Sequence, residues 1–251
     1  MEFYTYIGEG VAGLVYLLVG IRLYALSVRN AQIPERLLSV SFLFWALSYA
    51  IYDIPYLLFY RGAQLPALFA FGSLFTLYLG TGIFALFTRA VFRSQERWAL
   101  WLVAGTLGCL IVGLTGSVWV GDWGGDSPLS NPWSWVARVG TASPLFWMGA
   151  EGLTQFVRAR RRRRLGLCTP LVCNHFLLWG LAGSLWAILE FVDVAQYIAY
   201  ERTGHWSDTL SVLLGWHEFV PGVLIWFVFF PPVFYQRWIN GNAPVAKAAE
   251  G

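Results

Sequence analysis

Long stretches without a single charge are the strongest constraint on this chain. Residues 65–88 and 98–120 contain no Asp, Glu, Lys or Arg. About 20 consecutive apolar residues, wound as a helix, cross the hydrocarbon core of a bilayer. Lipid offers backbone N–H and C=O groups no partner, so such a stretch must satisfy its hydrogen bonds internally. Charged residues make up 12% of the chain, against about 25% in an average soluble domain. A soluble fold of this composition would expose large apolar patches, which soluble monomers rarely do. The sequence therefore excludes a soluble globular domain and a disordered chain.

The same criterion predicts an all-α integral membrane bundle of seven helices. The expected spans are 6–28, 37–60, 65–88, 98–120, 132–157, 168–199 and 209–236. They form a single transmembrane domain over 1–239, and residues 240–251 read as a flexible cytoplasmic tail. The connections are short, and none has room for a second domain. Asn131-Pro132 reads as a helix cap followed by proline at the first helical position.

Orientation follows the arginines, which concentrate in cytoplasmic loops. Arg22, Arg29 and Arg36 surround the first connection. Arg89, Arg93 and Arg97 surround the third, and Arg158 and Arg160 to Arg164 the fifth. The alternate loops hold only Arg61 and Arg202, with acidic Asp122, Asp126, Glu201 and Asp208. This pattern predicts an exterior N-terminus and a cytoplasmic C-terminus in a bacterial-type inner membrane. The N-terminal residues carry Glu2 and no positive charge, so helix one is expected to act as its own insertion signal. The run from Arg158 to Arg164 reads as a topology anchor in contact with anionic lipid, not as a nucleic-acid patch. Trp98, Trp101, Trp119, Trp123, Trp133, Trp206 and Trp238 fall near span ends and read as interfacial anchors.

Seven spans with an exterior N-terminus resemble rhodopsins and G-protein-coupled receptors in layout. Retinal proteins hold their chromophore on a lysine of the seventh helix. Here the one lysine is Lys247 in the tail, so covalently bound retinal is excluded. Val19-Gly20-Ile21-Arg22-Leu23, followed by Ile33-Pro34-Glu35, resembles a group of bacterial seven-span membrane proteins. That resemblance covers about the first sixty residues and implies a layout, not an activity.

Ionisable groups inside the hydrocarbon are costly and face the bundle interior or water. At about 1.5 Å of rise per residue, Asp53, Glu190, His217 and Glu218 fall roughly 10–15 Å below one membrane face. Asp193, Glu9 and Arg138 stand nearer that face. On helix six, His175, Trp179, Trp186, Glu190, Asp193 and Tyr197 recur at helical spacing and make one stripe. Helix two carries Trp45, Tyr49, Tyr52 and Tyr56, with Asp53 at the edge. Pro55, Pro144 and Pro221 each free a carbonyl one turn earlier.

The expected function is a sensor- or receptor-like protein with an outward-facing pocket for a small, cationic ligand. Its candidate residues are Tyr49, Tyr52, Asp53, Arg138, Trp186, Glu190, Asp193, His217 and Glu218. Excess carboxylate and aromatic faces both favour a cation. One alternative is a metal-dependent membrane hydrolase holding a divalent ion on Glu190, Asp193, His217 and Glu218. Another is a proton- or cation-coupled path continuing through Glu151 and His175. The plainest alternative is structural, with Arg138 neutralising Glu190 or Asp53. A bis-histidine haem fails on geometry, because His175 and His217 lie about 18 Å apart along the membrane normal. Cys109, Cys168 and Cys173 are too few for a zinc or iron–sulfur centre and read as packing residues.

Overall fold

The structure is a computed structural model, and it describes residues 2–59, 66–121, 131–205, 207–216 and 219–240. Among these residues every regular element is a helix. They are α1 (Glu2–Asn30), α2 (Ile33–Phe59), α3 (Ala67–Phe92), α4 (Arg97–Val120), α5 (Pro132–Arg164), α6 (Pro170–Thr203), α7 (Asp208–Gly215), α8 (Phe219–Phe229) and α9 (Val233–Asn240). The caps anticipated from sequence form. The Asn131 side chain accepts from the Trp133 N–H at 3.0 Å, and Pro132 follows at the first helical position. Gly121 and Gly204 end α4 and α6 in the left-handed conformation that glycine adopts without a Cβ clash.

Among the described residues, six stretches are long and apolar enough to cross a membrane: Gly10–Asn30, Ile33–Tyr56, Ala67–Phe92, Arg97–Val120, Pro170–Thr203 and Thr209–Phe229. Many large apolar side chains point outward, among them Leu14, Leu68, Ile111, Ile188 and Phe191. Helices that are apolar on their outer faces as well as their inner ones are consistent with a multi-pass membrane protein. α5 has the length but not the apolarity. It holds Arg138, Pro144, Glu151 and the arginine run, and it is packed between α4 and α6.

The segment expected to be one helix over 209–236 is divided. Pro231 and Pro232 remove two successive donors, and α8 ends before them. Pro221 stands in the first turn of α8, where a missing N–H is tolerated. α5 also runs further than expected, so most of the arginine run is its last turns. Trp133 is half-buried and packs on a neighbouring helix. It lies across Gly116 of α4, where a Cβ would meet its ring at 2.1 Å. Trp98, Trp101, Trp119 and Trp238 are exposed, while Trp123 and Trp206 lie outside the described residues.

Backbone contact through glycine sets the helix spacing. A Cβ on Gly152 would meet the Gly180 nitrogen at 2.5 Å, and one on Gly183 would meet the Gly149 nitrogen at 2.5 Å. α5 and α6 thus touch main chain to main chain along two consecutive turns. Between α4 and α5, Gly113 faces the Ala137 backbone in the same manner. In lipid there is no hydrophobic drive between helices, so such close packing and small polar groups hold them together. The polar groups are in place. Ser39 donates to the Gly20 carbonyl, Ser41 to the Gly80 carbonyl, both at 2.8 Å. Thr106 and Ser143 join α4 to α5 at 2.9 Å. Ser143 also donates to the Gly140 carbonyl freed by Pro144, at 3.4 Å, so that carbonyl is internally satisfied.

This packing separates two kinds of glycine. Gly152→Ala should destabilise the bundle by about 2 kcal/mol or more, because the new methyl meets backbone that cannot move aside. Gly105→Ala and Gly108→Ala on α4 meet nothing within 4 Å. They should be neutral or stabilising by about 0.5–1 kcal/mol. Unfolding of the detergent-solubilised variants measures both, and equal effects at the two kinds of position would contradict the contact.

Candidate functional site

Contact between Gly149 and Gly183 fixes the register of α5 against α6. About three turns further on, toward the start of α5 and the end of α6, that register brings Arg138 opposite Asp193. Arg138 Nη1 donates to Asp193 Oδ2 at 2.5 Å. The same nitrogen lies 3.9 Å from Glu190 Oε2, one turn earlier on α6. The guanidinium also stands 5.0 Å above the Tyr197 ring. All three charged side chains are half-buried, with about a quarter to a third of each exposed.

They line a cavity of about 350 Å³ between α1 and α6. Its wall takes Tyr16 from α1, Trp45 and Tyr49 from α2, Tyr78 and Thr81 from α3, and Ser117 from α4. α5 adds Ser134 and Thr141, and α6 adds Trp186 and Tyr197. Aromatic rings pack at its base: Trp45 and Trp186 are 5.6 Å apart edge to face, and Tyr16 lies 5.7 Å from Trp45. The Trp45 indole donates to Thr81 Oγ1 at 3.2 Å, which orients the ring and joins α2 to α3. Trp186 is almost wholly buried.

Of the residues singled out from sequence, Tyr49, Arg138, Trp186, Glu190 and Asp193 share this wall. Tyr52 and Asp53 do not. Tyr52 is exposed and stacks on Tyr56 at 6.5 Å. Asp53 is buried one turn beyond Tyr49, and its Oδ2 has no hydrogen-bond partner among the described residues. His217 and Glu218 lie outside the described residues, as does the side chain of Glu9. Among the described residues no three His, Cys, Asp or Glu side chains gather as a metal set. The α3 contribution was not anticipated. Its sequence signal is Tyr78 and Thr81, spaced three apart in a largely apolar helix.

A second ion pair stands at the arginine-rich end. Arg93, just past α3, binds Glu151 of α5 with both forks: Nε to Oε1 at 2.6 Å and Nη2 to Oε2 at 3.2 Å. Those bonds push the Arg93 pKa up. Trp147 donates to the same carboxylate at 3.4 Å, and Arg93 lies 5.7 Å over Trp98. Glu151 was expected to extend a proton path with His175. It is instead clamped by arginine, and His175 Nε2 has no partner among the described residues.

Comparison with protein-family profiles, with curated proteins and with solved structures gives no match.

The two pairs should differ in energy. Removing Arg93 (Arg93→Met) strands a carboxylate whose side chain is only 6% exposed, and should destabilise by about 3 kcal/mol. Adding Glu151→Gln should recover much of that loss. The Arg138–Asp193 cycle should show a coupling of about 1 kcal/mol, since both partners are part-exposed. Double-mutant cycles by denaturation in detergent measure the order, and a larger coupling for Arg138 would contradict it.

Proposed function

We propose that the protein is a sensor- or receptor-like membrane protein that binds a small organic cation in the cavity beside Arg138. The observation that carries this reading is the charge arrangement within an aromatic wall. Arg138 pairs at hydrogen-bond distance with Asp193 and stands off from Glu190 by 3.9 Å. With both ionised, two carboxylates against one guanidinium would leave the cavity with an excess negative charge. Tyr49, Tyr78 and Trp186 line the same space. An ammonium group gains from both, by ion pairing with Glu190 and by cation–π contact. The volume suits a small molecule. A divalent metal is the weaker reading, because Arg138 already occupies the field between the two carboxylates and would repel it.

The layout proposed with this function has seven crossings, α5 among them, with the N-terminus and the cavity outside. The support is the arginine distribution. α5 can cross despite its polarity, since Glu151 and Arg138 are each met by a charged partner. The arginine run would then lie at the cytoplasmic surface, against anionic lipid headgroups. A reporter fused after Asn240 should be active in its cytoplasmic form, and export of that fusion would overturn the orientation or the count.

Binding is tested by titrating the purified protein with choline and following tryptophan fluorescence, since Trp45 and Trp186 border the cavity. Choline should quench or shift the emission saturably, and its neutral carbon isostere should not. Glu190→Gln should weaken choline binding by about tenfold, or about 1.4 kcal/mol. Equal binding of choline and its isostere, or no effect of Glu190→Gln, would remove the cation reading.

A further inference from the structure

Away from the cavity, the chain enters α6 through Cys168-Thr169-Pro170-Leu171-Val172-Cys173. Thr169 is the N-cap, and its hydroxyl accepts from the Val172 N–H at 3.4 Å. Pro170 takes the first helical position. The residue before an N-cap and the fourth residue of the helix meet side chain to side chain, a contact usually made by two apolar groups. Here those positions are Cys168 and Cys173, and their sulfurs lie 3.5 Å apart. The Cys173 N–H bonds the Thr169 carbonyl at 3.2 Å, so the backbone holding the pair is regular helix. Neither cysteine is in a disulfide, and Cys109 on α4 is separate from them. Cys168 is partly exposed and Cys173 is buried.

We propose that Cys168 and Cys173 form a reversible redox site, oxidised by a hydroperoxide to an intramolecular disulfide. The thiolate of the more accessible Cys168 attacks the peroxide oxygen. The O–O bond breaks, hydroxide or alkoxide leaves, and Cys168 becomes a sulfenic acid. The Cys173 thiol loses its proton and attacks the Cys168 sulfur; the S–OH bond breaks and water leaves. Two thiols are oxidised by two electrons, and the peroxide is reduced by two. A cellular dithiol reverses the step by exchange. Burial of Cys173 beside its partner favours this closed product over a disulfide between two molecules. The disulfide covalently ties the chain arriving from the arginine-rich end of α5 to the first turn of α6.

The test uses the reduced full-length protein in detergent, treated with hydrogen peroxide, alkylated with a maleimide and weighed intact. The expected product carries one maleimide where the untreated protein carries three. Before alkylation it has lost the mass of two hydrogen atoms, and it remains monomeric. A digest should place the link between Cys168 and Cys173, and phosphine treatment should restore all three alkylations. Cys109→Ser should oxidise as the parent does and then take no maleimide. Three alkylatable thiols after treatment, a link involving Cys109, a cross-linked dimer, or sulfinic acid at Cys168 without a disulfide would each overturn the proposal.

Discussion

Main-chain contact between α5 and α6 is the constraint on which the rest of the bundle depends. With Gly149 and Gly152 facing Gly180 and Gly183, no side chain separates the two helices, and neither can slide without driving backbone into backbone. In water such a contact would add to a hydrophobic core. In lipid, where apolar surface gains little by leaving the solvent, closeness itself supplies the dispersion energy. The register follows directly. Arg138 and Asp193 are brought face to face at one end of the helix pair. Toward the other end, Trp147 and Glu151 remain on α5 to receive Arg93.

The polar interior has a consistent logic. Serines of α2 donate to carbonyls of α1 and α3, and threonine meets serine between α4 and α5. Each bond satisfies a group that lipid would leave bare. Before its terminal arginine run, the two charges of α5, Arg138 and Glu151, are each met by the opposite charge from a neighbouring element. This explains how one helix of the bundle falls short in apolarity and still packs between α4 and α6. It also distinguishes the two ends. Glu151 is clamped by both forks of one arginine, while Glu190 stands 3.9 Å from a guanidinium already committed to Asp193. The looser carboxylate is the one beside a cavity.

Helical identity was legible because periodicity and length report directly on it. The Asn131-Pro132 cap, the apolar spans and the stripe joining Trp186, Glu190 and Asp193 are local patterns. A helix realises such patterns whatever surrounds it. The division of the final segment was harder to read, because hydropathy averages over Pro231 and Pro232, whereas hydrogen bonding does not. Tyr52 and Asp53 stand about 60° and 40° round the helix from Tyr49, on the same general face, yet neither lines the cavity. Tyr52 is exposed, and burial alone does not bring Asp53 to the cavity. Tyr78 went unnoticed because tyrosine in an apolar helix carries no charge to mark an inward face.

The sequence by itself determined that the chain is helical, rich in membrane-length apolar stretches, and polarised in its arginines. Each of these is a property of single segments. Which charges meet was decided by the tertiary structure alone. Arg138 had Glu190 and Asp53 as candidate partners on charge and depth, and the register of α5 on α6 chose Asp193 first and Glu190 second. The same holds for the thiols. A spacing of five residues names no contact, but a capped helix start carries Cys168 back over its first turn onto Cys173. Pairing is a matter of distances between elements, and those distances are set by where glycine lets backbones touch.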